Sequence, residues 1–213
     1  VKIPTPFKRL SYNEAMSRYG SDRPDLRFGL EIRDVSDIVK NCDFKVFAEA
    51  AKTGKLVAGI TAPGCADYSR KQMDDLAAWA RQRGAGGLAA IKVGEDGLEG
   101  NLAKFFTEEH GRSLIETLGA KAGDLMMFCA EERDLTRAVL ADLRVEMAKR
   151  LNLIDKNEYN LCWVVDFPLF EYSPEQNRYV ALHHPFTSPI TEDTDKLLSD
   201  PDNVRARAYD LVL

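Results

Sequence analysis

Leu135, Val139, Leu140, Leu143, Met147 and Leu151 recur at three- and four-residue spacing. That spacing predicts one long helix from about Asp134 to Leu151 with a single apolar stripe. A stripe of this kind forms a stable helix only when another apolar surface covers it. The preceding segments supply such a surface. Phe28 to Val35 alternates apolar and polar residues, the pattern of a half-buried strand. Lys55 to Ile60 reads as a second strand, ended by Pro63-Gly64. Ser69 with Gln72 three residues on is a capping box, and Met73, Leu76, Ala77 and Ala80 follow at helical spacing. Leu88 to Val93 reads as a third strand, closed by the turn Gly94-Glu95-Asp96-Gly97. A helix from about Arg112 to Leu118 and a strand from Asp124 to Ala130 complete the series. Residues 28–150 therefore predict a compact α/β or α+β unit of domain size.

The flanks read differently. Ser11-Tyr12-Asn13-Glu14 is a capping box for a short helix that Gly20 stops near Tyr19. A polar loop, residues 20–25, follows. Beyond Asn152, Leu161 to Val165 is a continuous apolar run, expected to be a strand buried on both faces. Tyr179 to Leu182 is a further short strand, and His183 to Pro189 is a loop bounded by proline. Glu192 to Asp202 is rich in Asp and reads as solvated. Ala208 to Leu213 begins one more apolar element. The chain starts without Met and ends inside that run, so it is expected to be a piece of a longer polypeptide.

Composition narrows the class without naming a substrate. The 213 residues are 45% apolar and 30% charged, which fits a folded domain and not a disordered one. No apolar run nears the roughly 20 residues that span a bilayer. A net charge of −5 argues against a dedicated nucleic-acid surface, although a local basic stripe stays compatible with it. Cys42, Cys65, Cys129 and Cys162 lie far apart in sequence and form no zinc or redox spacing. They are expected to be free thiols of a cytoplasmic protein.

Chemistry concentrates between residues 166 and 210. His183 and His184 are adjacent, so on a strand only one could face a given site. They admit three roles: hydrogen bonding to an anionic ligand, zinc ligation without any local signature, or ordinary turn positions. Asp166 directly follows a buried run, as a cleft or cation-binding carboxylate does, and as an exposed turn acid also does. Asp210 sits inside an apolar run, facing either solvent or a metal or phosphate site. The glycines of residues 94–100 lack phosphate-loop spacing. These residues point to a nucleotide or acidic-ligand site near 166–210.

Three strings carry a resemblance. Residues 19–27, YGSDRPDLR, resemble the segment after motif 2 of bacterial-type aspartyl-tRNA synthetases. Residues 163–170, WVVDFPLF, with HHPFTSP at 183–189, resemble the segment after that family's insertion. Residues 205–213, RARAYDLVL, resemble the strand leading to motif 3. Between them, residues 28–150, including GLAAIKV at 87–93, look like the domain this family shares with the tRNA-dependent amidotransferase.

The resemblance implies a class II synthetase core: segments 1–27 and 151–213 of its antiparallel sheet, flanking an inserted α/β domain at 28–150. It implies activation of L-aspartate by ATP with Mg²⁺, transfer to tRNA, and a homodimer in the cytoplasm, off the membrane. His183 and His184 correspond to aspartate-contacting residues and Asp210 to an ATP–Mg²⁺ carboxylate; Asp166 lies near the cleft. Arg23 stands where Lys is usual and Ala90 where an aromatic is frequent. The motif 2 and motif 3 arginines, the motif 1 dimer helix and the anticodon-binding barrel are outside this sequence. The 213 residues alone are therefore expected not to activate aspartate, and no catalytic residue is assigned among them. The alternative is a non-catalytic tRNA-binding module of amidotransferase type, but its flanks lack the GSDRPD and HHPFT strings. A purely structural α/β domain is the third reading.

Overall fold

The computed structural model describes Ile3 and residues 5–213. The chain divides into two compact units. One comprises residues up to Met16, Asp22–Leu26 and Asn157–Leu213; the other comprises Ser17–Ser21 and Arg27–Lys156. In chain order the elements are β1 (Lys8–Ser11), α1 (Tyr12–Tyr19), β2 (Arg33–Asp34), α2 (Ser36–Val39), α3 (Lys45–Lys52), β3 (Leu56–Ala62), α4 (Arg70–Arg81), β4 (Ala89–Gly94), β5 (Gly97–Glu99), α5 (Glu108–Leu118), β6 (Leu125–Glu131), α6 (Arg133–Arg150), β7 (Cys162–Val165), β8 (Phe170–Ser173), β9 (Arg178–Ala181) and β10 (Tyr209–Val212).

The larger unit is a five-stranded sheet in the order β2-β3-β6-β4-β5, with every pair antiparallel. Helices cover both faces. Leu56, Ala58, Ile60, Leu125 and Met127 pack with Leu76 and Ala80 of α4 and with Val139, Leu140, Leu143 and Met147 of α6. Val57, Met126, Phe128, Ile91 and Val93 pack on the other side with Val39 of α2, Phe47 of α3 and Leu114 of α5. β3 and β6 are buried along nearly their whole length. Their sequences are correspondingly apolar without alternation. This is an α+β unit in three layers.

Two helix starts follow from their caps. Ser69 Oγ accepts the N–H of Gln72, and Gln72 Oε1 accepts the N–H of Ser69 at 2.9 Å. Thr107 caps α5 through the N–H of His110. The helix thus begins at Glu108, four residues before the expected start, because His occupies the N3 position usually held by Glu or Gln.

The expected strand from Phe28 to Val35 contracts to Arg33–Asp34. Leu30 has φ +57°, which breaks the extended run. The carbonyls of Gly29 and Leu30 accept from the Arg144 guanidinium at 3.0 and 2.8 Å instead of from a neighbouring strand. That guanidinium is buried between the rings of Tyr19 and Phe28, with centroids 4.8 and 4.9 Å away. Glu31 pairs with Arg18 and Arg33. Its carboxyl is held below the usual range, first by the Arg18 hydrogen bond.

The smaller unit contains a three-stranded sheet, β1-β7-β10, and the hairpin β8–β9. β1 runs parallel to β7 and β10 runs antiparallel to it, so the sheet is mixed. The run at β7, expected to be buried on both faces, is buried on one. Cys162 and Val164 are covered, while Trp163 and Val165 are half-buried. The reason lies beside it: the Trp163 face borders an open cleft. Among the described residues no helix is long and apolar enough to cross a membrane. All four cysteines are free and buried, and burial pushes the Cys129 thiol up to about 11.

Gly20 ends α1 at φ +69°, and a Cβ there would meet Arg137 O of α6 at 2.4 Å and Ala141 Cβ at 2.9 Å. Both the conformation and the space require glycine. Gly20→Ala is expected to destabilise the larger unit by about 1–3 kcal/mol, measured by urea unfolding. An unchanged midpoint would show that the loop relaxes freely.

Candidate functional site

β7 is stopped by Asp166 in the left-handed region, φ +58°, a conformation Asp tolerates better than most residues. The chain then crosses a second segment, residues 204–207. The Ala206 N–H donates to Phe167 O at 2.7 Å, and the Leu169 N–H donates to Val204 O at 2.8 Å. On the other side the Arg207 N–H donates to Ser188 O at 2.8 Å, and the Ile190 N–H to Arg205 O at 3.0 Å. Residues 204–207 therefore lie between the segment after Asp166 and the segment that closes the His183–Pro189 loop. They lead directly into β10.

Register sorts the side chains of the sheet. Arg9, Trp163 and Leu211 are paired across it, as are Ser11, Val165 and Tyr209. Alternation places both rows on one face. Trp163 and Tyr209 meet edge to face, with centroids 5.6 Å apart. With Arg9, Asp166 and Arg207 they line a cleft of about 530 Å³. An aromatic pair beside two guanidinium groups and a carboxylate can hold a flat, anionic ligand. Asp210 pairs with Val164 and so belongs to the opposite face, where it is exposed at the sheet edge. It lines a separate depression of about 540 Å³ with Arg23 and residues 211–213. Trp163 and Tyr209 border both. Asp166 and Asp210 therefore do not line the same hollow.

His183 and His184 lie beyond the end of β9, His183 in a bend, and both are exposed. The strand argument about opposite faces does not apply there, yet the rings still diverge. His183 stands edge to face against Phe167, centroids 5.0 Å apart. Phe167 itself packs on Tyr12. His184 stands against Phe186 at 4.9 Å, and its Nδ1 accepts the Phe186 N–H at 3.3 Å. A neutral His184 therefore carries its proton on Nε2 and presents that nitrogen as a donor. Among the described residues no group of three or more His, Cys, Asp or Glu could hold a metal by itself.

The sequence reading missed the most tightly held pair in this unit. Glu192 to Asp202 was expected to be solvated, but Asp193 is 1% exposed. Its carboxylate accepts from the Arg205 N–H at 3.0 Å, Arg205 Nε at 2.7 Å, an Arg205 terminal nitrogen at 3.2 Å and Lys196 Nζ at 2.9 Å. Arg205 also approaches Asp166 at 3.9 Å. Nothing local marks an acid whose partner lies 12 residues away. The Arg205 guanidinium, then the Lys196 ammonium, hold the Asp193 carboxyl well below the usual carboxylate range, and Asp193 raises Arg205 in return.

Residues 47–140 match the GAD domain family, inside the stretch expected to be an inserted domain. The matched stretch lies within the larger unit. Over its whole length the chain is similar to single stretches of larger proteins. It is 55% identical over 214 residues to the aspartate–tRNA(Asp/Asn) ligase of Geobacillus sp. (strain WCH70), covering 100% of this chain and 36% of that protein. It is 52% identical over 212 residues to the enzyme of the same name from Heliobacterium modesticaldum, covering 100% and 35%. It is 50% identical over 214 residues to the aspartate–tRNA ligase of Enterococcus faecalis, covering 100% and 36%. The chain matches these bacterial aspartate–tRNA ligases along its whole length and spans about 36% of theirs.

The Asp193 shift sets a pH dependence. A carboxyl lowered by folding stabilises the fold at any pH where it is ionised in the unfolded chain. That contribution fades as pH drops below about 4 toward the folded value. The melting temperature of the wild-type chain is therefore expected to fall between about pH 5 and pH 3 more steeply than that of Asp193→Asn. The difference between the two curves isolates Asp193 from Glu31. Parallel curves in circular dichroism melts would contradict it.

Proposed function

We propose that this chain works as the GAD-bearing part of an aspartate–tRNA ligase: residues 1–27 and 151–213 contribute to the site where ATP activates L-aspartate, and residues 28–150 form the insertion. The observation that carries this reading is identity of 50–55% along the whole chain to proteins of that name, with both flanks included. Those relatives are ligases, which favours the enzyme over a non-catalytic tRNA-binding module. Relatives named for tRNA(Asp/Asn) and for aspartate alone match at similar identity, which supports discrimination between the two tRNAs by residues outside this stretch.

In this reading the substrate carboxylate attacks the α-phosphorus of ATP, the bond to pyrophosphate breaks, and aspartyl-adenylate forms. The 3′-terminal ribose hydroxyl of tRNA then attacks the carbonyl carbon and AMP leaves. His183 and the Nε2–H of His184 donate to the aspartate. Asp210 meets Mg²⁺, which enters with ATP as substrate. Asp166, with Arg205 at 3.9 Å, borders the cleft. Arg9 and Arg207 of that cleft suit a ligand that carries negative charge. The working form is a cytoplasmic homodimer.

Aspartate-dependent ATP–pyrophosphate exchange by the full-length polypeptide that carries this sequence tests the proposal. His183→Ala is expected to raise KM for aspartate by about 10- to 100-fold, the worth of one charge-assisted hydrogen bond. Exchange that depends on another amino acid, or an unchanged KM, would remove the assignment.

A further inference from the structure

We infer that Asp193 and Arg205 form a positioning pair that sets the relative placement of the three ligand-facing segments of the smaller unit. The inference rests on the aspartate-activation reading for its chemical consequence and on geometry alone for the pair itself.

The three segments are the turn after β7 with Asp166, the His183–Pro189 loop, and β10 with Asp210. None of the three is joined to another by a regular ladder beyond β7–β10. All three converge on residues 204–207. Arg205 is the only residue of that segment whose side chain is ion-paired in the described structure, and it faces two ways: Asp193 on one side and Asp166 on the other. Its carbonyl accepts from Ile190, and it forms an isolated bridge with Pro168. Pro168 and Pro189, which oppose Arg205 and Ala206, have no N–H to donate. The backbone contact on each side is therefore sparse: two hydrogen bonds to residues 167–169 and two to residues 188–190.

Asp193 supplies what the backbone lacks. Its two oxygens accept four hydrogen bonds, three of them from Arg205, one being the Arg205 main-chain N–H. One carboxylate thus fixes the side chain and the backbone of the same residue. Asp193 is 1% exposed and Arg205 43%, so losing the pair would leave the buried carboxylate, not the guanidinium, without its main partner. Asparagine has nearly the same shape, but it is neutral and turns an N–H₂ group toward the guanidinium donors. It therefore breaks the pair without opening a cavity.

The test has two arms. In the first, amide hydrogen exchange is measured on the 213-residue chain as wild type, Asp193→Asn and Arg205→Lys. The amides of Leu169, Ile190, Ala206 and Arg207 are expected to lose protection together, by at least about tenfold, in Asp193→Asn. Those of β7 keep theirs, and so do those of β3 and β6 in the larger unit. Arg205→Lys keeps the charge but loses the fork, and gives an intermediate loss. Equal loss across every amide of the smaller unit would mean simple destabilisation and would overturn the inference, as would loss confined to residues 191–197. In the second arm, kcat and KM for aspartate are measured by pyrophosphate exchange in the full-length polypeptide. Positioning predicts a raised KM for aspartate that Arg205→Lys partly rescues; an unchanged KM with only a lowered melting temperature would overturn it. If the wild-type polypeptide shows no exchange at all, the functional reading fails, and the first arm still decides the pair.

Discussion

Double-sided burial of the β3–β6 pair is the constraint on which the larger unit depends. Seven residues on each strand are in register, from Leu56 opposite Glu131 to Ala62 opposite Leu125. Nearly all are covered above and below. A strand with two apolar faces has no side to offer to water, so helices must be recruited on both. Fully burying a side chain such as Ile60 or Met126 contributes about 1.5–3 kcal/mol. That gain sets the chain order: α4 and α6 must return to one face, and α2, α3 and α5 to the other. Gly59 belongs to the same constraint. A Cβ there would meet the Phe128 ring at 2.6 Å and Met127 O at 2.8 Å, so the Phe128 ring can lie against β3 only because Gly59 has no side chain.

The smaller unit is organised on a different principle. It has a short mixed sheet, one hairpin and long irregular connections, with few buried apolar residues per element. Polar contacts do the joining that apolar layers do in the larger unit. The Asp193 carboxylate and the carbonyls of Phe167, Ser188, Val204 and Arg205 accept the bonds that hold the connections in place. Such contacts are directional, so they specify geometry more sharply than area burial does.

What the sequence made legible follows from these two principles. Periodicity exposed α4 and α6, and side-chain caps exposed the starts of α1 and α4, since both signals are local. α3 escaped because Phe44 stands at its N-cap with no side-chain hydrogen bond, so no boundary is written in the sequence. The Phe28–Val35 strand failed because alternation says nothing about a buried guanidinium 114 residues away that takes the carbonyls. His183, His184 and Asp210 stand out in the sequence as residues out of character with their surroundings. Asp193 was invisible for the opposite reason. Among many acids it looks like every other one, and only the fold tells it apart. The placement of Asp166 and Asp210 in separate hollows was equally hidden, because it depends on strand register rather than on either neighbourhood.

Burial divides the charged groups of the smaller unit by task. Asp193 is withdrawn from water and its hydrogen-bonding capacity is met within the protein. His183, His184, Asp166 and Asp210 stay exposed. In the proposed reading the exposed groups keep their donors and acceptors for a ligand, whereas Asp193, which holds the frame, has its own already used. The rings of His183 and His184 are steered by Phe167 and Phe186 through contacts that leave ring nitrogens available. Aromatic edges orient an imidazole at little cost to its hydrogen-bonding capacity. Phe167 then links the two sets: its carbonyl accepts the N–H next to Arg205, and its ring supports His183. One residue thus joins the Arg205 segment to the His183 imidazole, and this is the route along which the proposed positioning pair acts.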